Sequence, residues 1–146
     1  MSHRSILIID DNADDTELTR RALHLSFAAA EIMVMDDAVQ ALAWLTGAEP
    51  PEPLPALVLL DIKMPRMDGV EVVRRLRAHP QTCLLPVVLL TSSVEERDIM
   101  AGYAAGANAY VRKPITSERF TDAIRAVATF WLGHNELPTG APPRDR

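Results

Sequence analysis

A chain of 146 residues is of single-domain size and long enough to bury a substantial core. Its formal net charge of −5 argues against direct nucleic-acid binding, because phosphate backbones are held by clustered Lys and Arg. A lone cysteine, Cys83, excludes an internal disulfide, no apolar run approaches the ~20 residues of a membrane span, and the N-terminus shows no signal-peptide pattern, so a cytoplasmic protein without membrane contact is expected.

The elements alternate along the chain. A first strand over about residues 5–10 carries Ile6-Leu7-Ile8-Ile9 and runs into Asp10-Asp11. A helix over about 13–28 follows, capped by Asn12 or Asp14, with Leu18, Ala22 and Leu25 at helical spacing for the core. Residues 31–35 read as a second strand and 38–45 as a helix buried through Ala41, Leu42 and Leu45; the Pro-rich stretch 50–55 is a loop. The third strand, Ala56-Leu57-Val58-Leu59-Leu60, ends at Asp61, and Met64-Pro65-Arg66-Met67-Asp68-Gly69 turns into a helix buried through Val70, Val73 and Leu76. Pro86-Val87-Val88-Leu89-Leu90 ends at Thr91, a helix over about 94–105 is stopped by Gly106, and Asn108-Ala109-Tyr110-Val111 ends at Lys113-Pro114. The last helix spans about 117–131. Five βα units with near-continuous apolar strands imply an α/β fold, a doubly wound parallel sheet with helices on both faces.

In such a sheet the carboxyl ends of the strands share one edge, where ligands bind. Asp10, Asp11, Asp61, Thr91 and Lys113 therefore converge, although they are far apart in sequence. The three carboxylates make a hard oxygen site suited to Mg²⁺, while Thr91 and Lys113 offer a hydroxyl donor and a positive charge to a phosphate. Singly, each residue has a plainer reading: a turn and cap at Asp10-Asp11, a strand-end aspartate at Asp61, a helix cap at Thr91-Ser92-Ser93 and a surface lysine at 113. Their order at the ends of strands one, three, four and five sets the plainer readings aside. His3, His24, His79 and His134 are scattered without metal-ligand spacing, and Cys83 has no nearby base.

The segments Ile8-Ile9-Asp10-Asp11, Leu59-Leu60-Asp61-Ile62-Lys63-Met64-Pro65-Arg66-Met67-Asp68-Gly69, Leu89-Leu90-Thr91-Ser92 and Tyr110-Val111-Arg112-Lys113-Pro114 together resemble the receiver domain of two-component response regulators over about residues 4–130. The ending Phe130-Trp131-Leu132 with Leu137-Pro138, and no output domain after it, is similar to single-domain regulators paired with phytochrome-type histidine kinases. The resemblance implies a flavodoxin-like strand order 2-1-3-4-5, a receiver over residues 1–132 and a C-terminal tail over 133–146. It implies a protein that is not an enzyme in its own right but takes a phosphoryl group onto Asp61 from a sensor histidine kinase. Asp11 and Asp61 would ligate Mg²⁺ directly, Asp10 largely through water, and Lys63 through its backbone carbonyl. Lys113 would bridge to Asp61 and then to the phosphoryl group, with Lys113-Pro114 cis. Thr91 and Tyr110 would form the switch, the tyrosine ring filling space that the threonine vacates; the competing reading is a half-buried tyrosine that never moves.

The last helix carries a core stripe of Phe120, Ile124, Val127 and Trp131, with Phe130 on a flank beside Ala123 and Ala126. Tyr110, Phe130, Trp131 and Leu132 are the expected surface of a symmetric homodimer, against the alternative that Phe130 completes its own core. Two other functions compete with the receiver. An aspartate-based phosphatase wants a second Asp two residues after the nucleophile, where Lys63 stands; a pseudo-receiver would dispense with the acidic pair, Asp61, Thr91 and Lys113, all present.

Overall fold

The structure, a computed structural model, describes residues 4–113 and 116–138. Strands β1 (Ser5–Ile9), β2 (Glu31–Met35), β3 (Leu57–Leu60), β4 (Val87–Thr91) and β5 (Ala109–Arg112) form one sheet in the order β2-β1-β3-β4-β5, every pair parallel. Helices α1 (Ala13–Ser26), α2 (Ala38–Thr46), α3 (Gly69–Ala78), α4 (Glu96–Ala105) and α5 (Ser117–Ala128) connect or follow them, and a π-helical segment, Thr129–His134, extends α5. This is the flavodoxin-like order, with its switch point between β1 and β3.

Alternation along each strand splits the core into two layers. Leu7, Ile9, Val58, Leu60 and Leu89 face α2 and α3 through Ala41, Leu45, Val73 and Leu76. Ile6, Ile8, Leu57, Leu59, Val88 and Leu90 face the other way, onto Leu23 of α1 and Phe120 and Ile124 of α5. Central strands buried on both faces are why their sequences are apolar without a break. Among the described residues no helix is long and apolar enough to cross a membrane.

Three expectations are corrected. In α1 the inward face is Thr19, Ala22 and Leu23, and Leu25 is 72 % exposed, because two residues beyond Leu23 is about 200° further round a helix. Helix α4 starts at Glu96 rather than 94, and of its residues only Gly102 is fully buried. Its missing Cβ lets the helix sit against β4 and β5: an added Cβ would stand 2.6 Å from Leu89 Cδ1 and 3.5 Å from Tyr110 Cδ2.

The third correction is at the C-terminus. The Asn135 N–H donates to the Phe130 carbonyl at 2.8 Å, an i→i+5 bond that widens the turn. The core stripe Phe120, Ile124, Val127 therefore continues to Leu132, which is 2 % exposed, and not to Trp131, which is only partly buried. Leu132 belongs to the interior and is removed from the expected dimer surface. Phe130 is 49 % exposed and meets Trp131 edge to face, ring centroids 5.0 Å apart. Arg4 donates to the Leu132 carbonyl, tying the segment to the start of the chain.

Candidate functional site

Backbone bonds between neighbouring strands fix the level of the carboxyl edge. The Asp10 N–H donates to Met35 O (3.1 Å), the Asp61 N–H to Ile9 O (3.0 Å) and the Lys113 N–H to Thr91 O (2.8 Å). Asp10, Asp61 and Lys113 thus leave their strands side by side.

The loop after Asp61 is built to return beneath it. Asp68 caps α3 by accepting the Glu71 N–H at 3.0 Å, and the Gly69 N–H donates to Ile62 O at 2.9 Å. Gly69 is required by close approach, since a Cβ there would lie 2.2 Å from the Asp61 carbonyl oxygen. Arg66, at φ 69°, takes the left-handed conformation in the turn and pairs with Asp37, the N-cap of α2.

Carboxylate oxygens of Asp10, Asp11 and Asp61 all lie within 4.8 Å of one another. One oxygen of each buried aspartate is held by backbone: Asp10 Oδ1 accepts the Asn12 N–H at 2.9 Å and Asp61 Oδ1 the Ile62 N–H at 2.8 Å. The other oxygens turn to Lys113, whose Nζ donates to Asp10 Oδ2 at 2.9 Å and Asp61 Oδ2 at 3.3 Å. Asp11 is exposed at the mouth of the site.

Burial pushes the Asp10 carboxyl up from its ordinary value, a shift that the Asn12 N–H and Lys113 only partly offset. For Lys113 burial opposes the charge, but hydrogen bonds to Asp15 and Asp10 and the charges of Asp10 and Asp61 outweigh it and raise its pKa. The result is crowded anionic charge with one fixed cation. Clustered carboxylate oxygens open to solvent on one side are a donor set that fits a hard divalent cation.

Thr91 is fully buried at the end of β4, where its Oγ1 accepts the Ser93 N–H at 3.3 Å and, among the described residues, bonds to no carboxylate. Tyr110 is half-buried; its hydroxyl donates to Ser93 O at 2.8 Å, and burial raises its pKa. The Lys63 ammonium lies 3.4 Å from Asp98 Oδ2, and the Ser93 hydroxyl donates to the same carboxylate. That Ser93 bond, ahead of the charge of Lys63, holds Asp98 below its ordinary value. Residues two beyond Asp61 and two beyond Thr91 are thereby joined through the first turn of α4. Phe130 and Trp131 lie away from this cluster, on the C-terminal segment.

Two participants escaped the sequence reading. Asp15 Oδ2 is 2.9 Å from Lys113 Nζ, yet Asp14-Asp15 reads as ordinary acidic chemistry of a helix start; the cap itself is Asn12, whose Oδ1 accepts the Asp15 N–H. Asp98 gives no motif signal. The Lys113-Pro114 bond, expected to be cis, lies outside the described residues.

The chain matches the family described as "Response regulator receiver domain" over residues 6–125. It is 32 % identical over 135 residues to the response regulator Rcp1 of Synechocystis sp., covering 91 % of this chain and 92 % of that protein. The crystal structure of the phosphorylated cyanobacterial phytochrome response regulator RcpA superposes with a TM-score of 0.87 at 30 % identity, over 94 % of this chain and 100 % of that one. The Mn²⁺-bound form of Rcp1 gives 0.84 at 31 % identity, over 93 % and 99 %. The chain belongs to the response regulator receiver family. Its similarity to Rcp1 and RcpA extends through the C-terminal segment, beyond the span of the family match.

Proposed function

We propose that this protein is a phosphoryl-accepting response regulator, with Asp61 the nucleophile and a sensor histidine kinase the donor. The observation that carries the reading is the buried Lys113 ammonium hydrogen-bonded to Asp10 and Asp61, whose carboxylates cluster with that of Asp11. An Asp61 carboxylate oxygen attacks phosphorus in the phosphohistidine of the kinase; the P–N bond breaks, its electron pair returns to the imidazole, and an acyl phosphate remains. Such transfer asks chiefly for positioning and charge neutralisation.

The residues fit Mg²⁺, which Asp11, Asp61 and the Lys63 backbone carbonyl would hold, with Asp10 acting through water; when bound it would supply the charge that neutralises the crowded carboxylates and a phosphoryl group. Lys113 passes from the Asp61 carboxylate to the phosphoryl group, and the Thr91 hydroxyl turns to donate to it. Because Thr91 Oγ1 is tied to Ser93, and Ser93 O to the Tyr110 hydroxyl, that turn disturbs the tyrosine's anchor and changes the surface around α4 and β5.

The receiver is taken to occupy residues 1–132 and the tail 133–146, although the π-helical segment crosses that boundary and ends at His134. A homodimer uses exposed Phe130 with Trp131 and the neighbourhood of Tyr110, and a phytochrome-type kinase is the partner supported by the likeness to RcpA. The work is done in the cytoplasm, away from nucleic acid and membrane. The test is incubation with a small phosphodonor, with and without Mg²⁺, followed by intact mass. The wild type is expected to gain one phosphoryl group only when Mg²⁺ is present, and Asp61→Asn none. Wild type unmodified under all conditions contradicts the reading.

A further inference from the structure

Lys113 Nζ is as close to Asp15 Oδ2, at 2.9 Å, as to Asp10 Oδ2, and closer than to Asp61 Oδ2 at 3.3 Å. An ammonium has three N–H bonds, and here each has its own carboxylate. Two of these acceptors, Asp10 and Asp61, belong to the carboxylate cluster that suits a divalent cation; Asp15 does not. Its side chain is 31 % exposed, on the first turn of α1, with its backbone N–H held by Asn12 Oδ1 and its carbonyl by the Thr19 hydroxyl. Asp15 is a rigidly mounted acceptor standing just outside the pocket.

On the reading of a Mg²⁺-dependent receiver given above, we propose that Asp15 is a positioning residue that retains Lys113 when a divalent cation takes Asp61 directly and Asp10 through water, and so sets the affinity of the pocket for Mg²⁺. A cation entering among Asp10, Asp11 and Asp61 repels the ammonium and claims the oxygens it holds. Lys113, 7 % exposed, has little water to turn to. With Asp15 in place the ammonium keeps an ion pair outside the cluster while it yields the pocket. Without it, lysine and metal compete for the same two carboxylates.

Calorimetric titration of the full chain with MgCl₂ tests this. Asp15→Asn is expected to weaken Mg²⁺ binding about tenfold, a coupling of ordinary size between neighbouring charged sites. Asp15→Glu, which keeps the carboxylate, is expected to stay within about threefold of wild type, and Asp14→Asn, the same loss of charge on the same turn without a bond to Lys113, within about twofold. In a Lys113→Met background the Asp15→Asn effect is expected to vanish. Equal affinities for wild type and Asp15→Asn overturn the proposal, as does an undiminished tenfold loss in the Lys113→Met background, which marks a bulk charge effect. Wild type that binds no Mg²⁺ at all overturns the receiver reading itself, a result distinct from either.

Discussion

Gly69→Ala probes how tightly the loop after β3 is folded against the phosphoacceptor. The new Cβ would stand 2.2 Å from the Asp61 carbonyl oxygen and 3.0 Å from the Asp61 carbonyl carbon and Ile62 Cα, all backbone atoms that no rotamer change can move aside. Ordinary contact begins at 3.4 Å, so loop or strand end must retreat by roughly 1.2 Å. Gly69 has no positive φ, so alanine tests contact and not conformational freedom. Over-packing of this kind costs about 1–3 kcal/mol, and each kcal/mol lowers Tm by about 2–4 °C in a domain of this size. Because the retreat moves Asp61 itself, the phosphorylation rate falls further, on the order of a hundredfold for a reacting group misplaced by about 1 Å. Urea unfolding followed by Trp fluorescence gives the first quantity and initial rates with a small phosphodonor and Mg²⁺ the second. Gly133→Ala is the control, its Cβ meeting only Phe27 Cζ at 3.8 Å. Gly69→Ala with the wild-type midpoint and the wild-type rate refutes the close approach.

Asp10→Asn is expected to raise Tm in metal-free buffer near neutral pH. Burial lifts the Asp10 pKa above its ordinary 3.8, so the charged form costs stability above the folded-state pKa, and that cost fades as pH falls through it. The gain over wild type therefore shrinks toward pH 4 in melts followed by circular dichroism, and a gain independent of pH contradicts the account. Leu132→Ala is expected to destabilise by about 2–5 kcal/mol, as for a buried leucine, whereas Phe130→Ala stays within about 0.5 kcal/mol at concentrations where the protein is monomeric. By light scattering Phe130→Ala weakens association; wild type that is monomeric at high concentration, with and without phosphodonor, removes the dimer.

What the sequence made legible was the part written in runs. Three strands, β1, β3 and β4, are buried on both faces and read as unbroken apolar stretches, as does most of half-buried β5, and an ionisable or hydroxyl residue at the end of each could be assigned to one edge because parallel topology leaves no other place for it. Asp68-Gly69 was legible as a turn, but the reason for the glycine, the Asp61 carbonyl behind it, is a close approach of two chain segments that no local pattern reports. Leu25 was misplaced because leucine outweighs threonine in any reading of a helix face, while Thr16 and Thr19 are buried in α1 beside Ala22 and Leu23. Leu132 was misplaced because one i→i+5 turn shifts the register, and nothing in Thr129-Phe130-Trp131 announces it. Asp15 and Asp98 were missed for a common reason: acidic residues in the first turn of a helix already have a sufficient explanation in the helix dipole.

The central claim is that Asp61 carries the phosphoryl group. Protein treated with phosphodonor and Mg²⁺ can be reduced with borohydride, which converts an aspartyl phosphate to homoserine with release of phosphate, and then digested and mapped by mass spectrometry. Homoserine at position 61, absent without phosphodonor and absent in Asp61→Asn, is the result expected. Homoserine at another aspartate, or phosphate on a residue that resists reduction, contradicts the account.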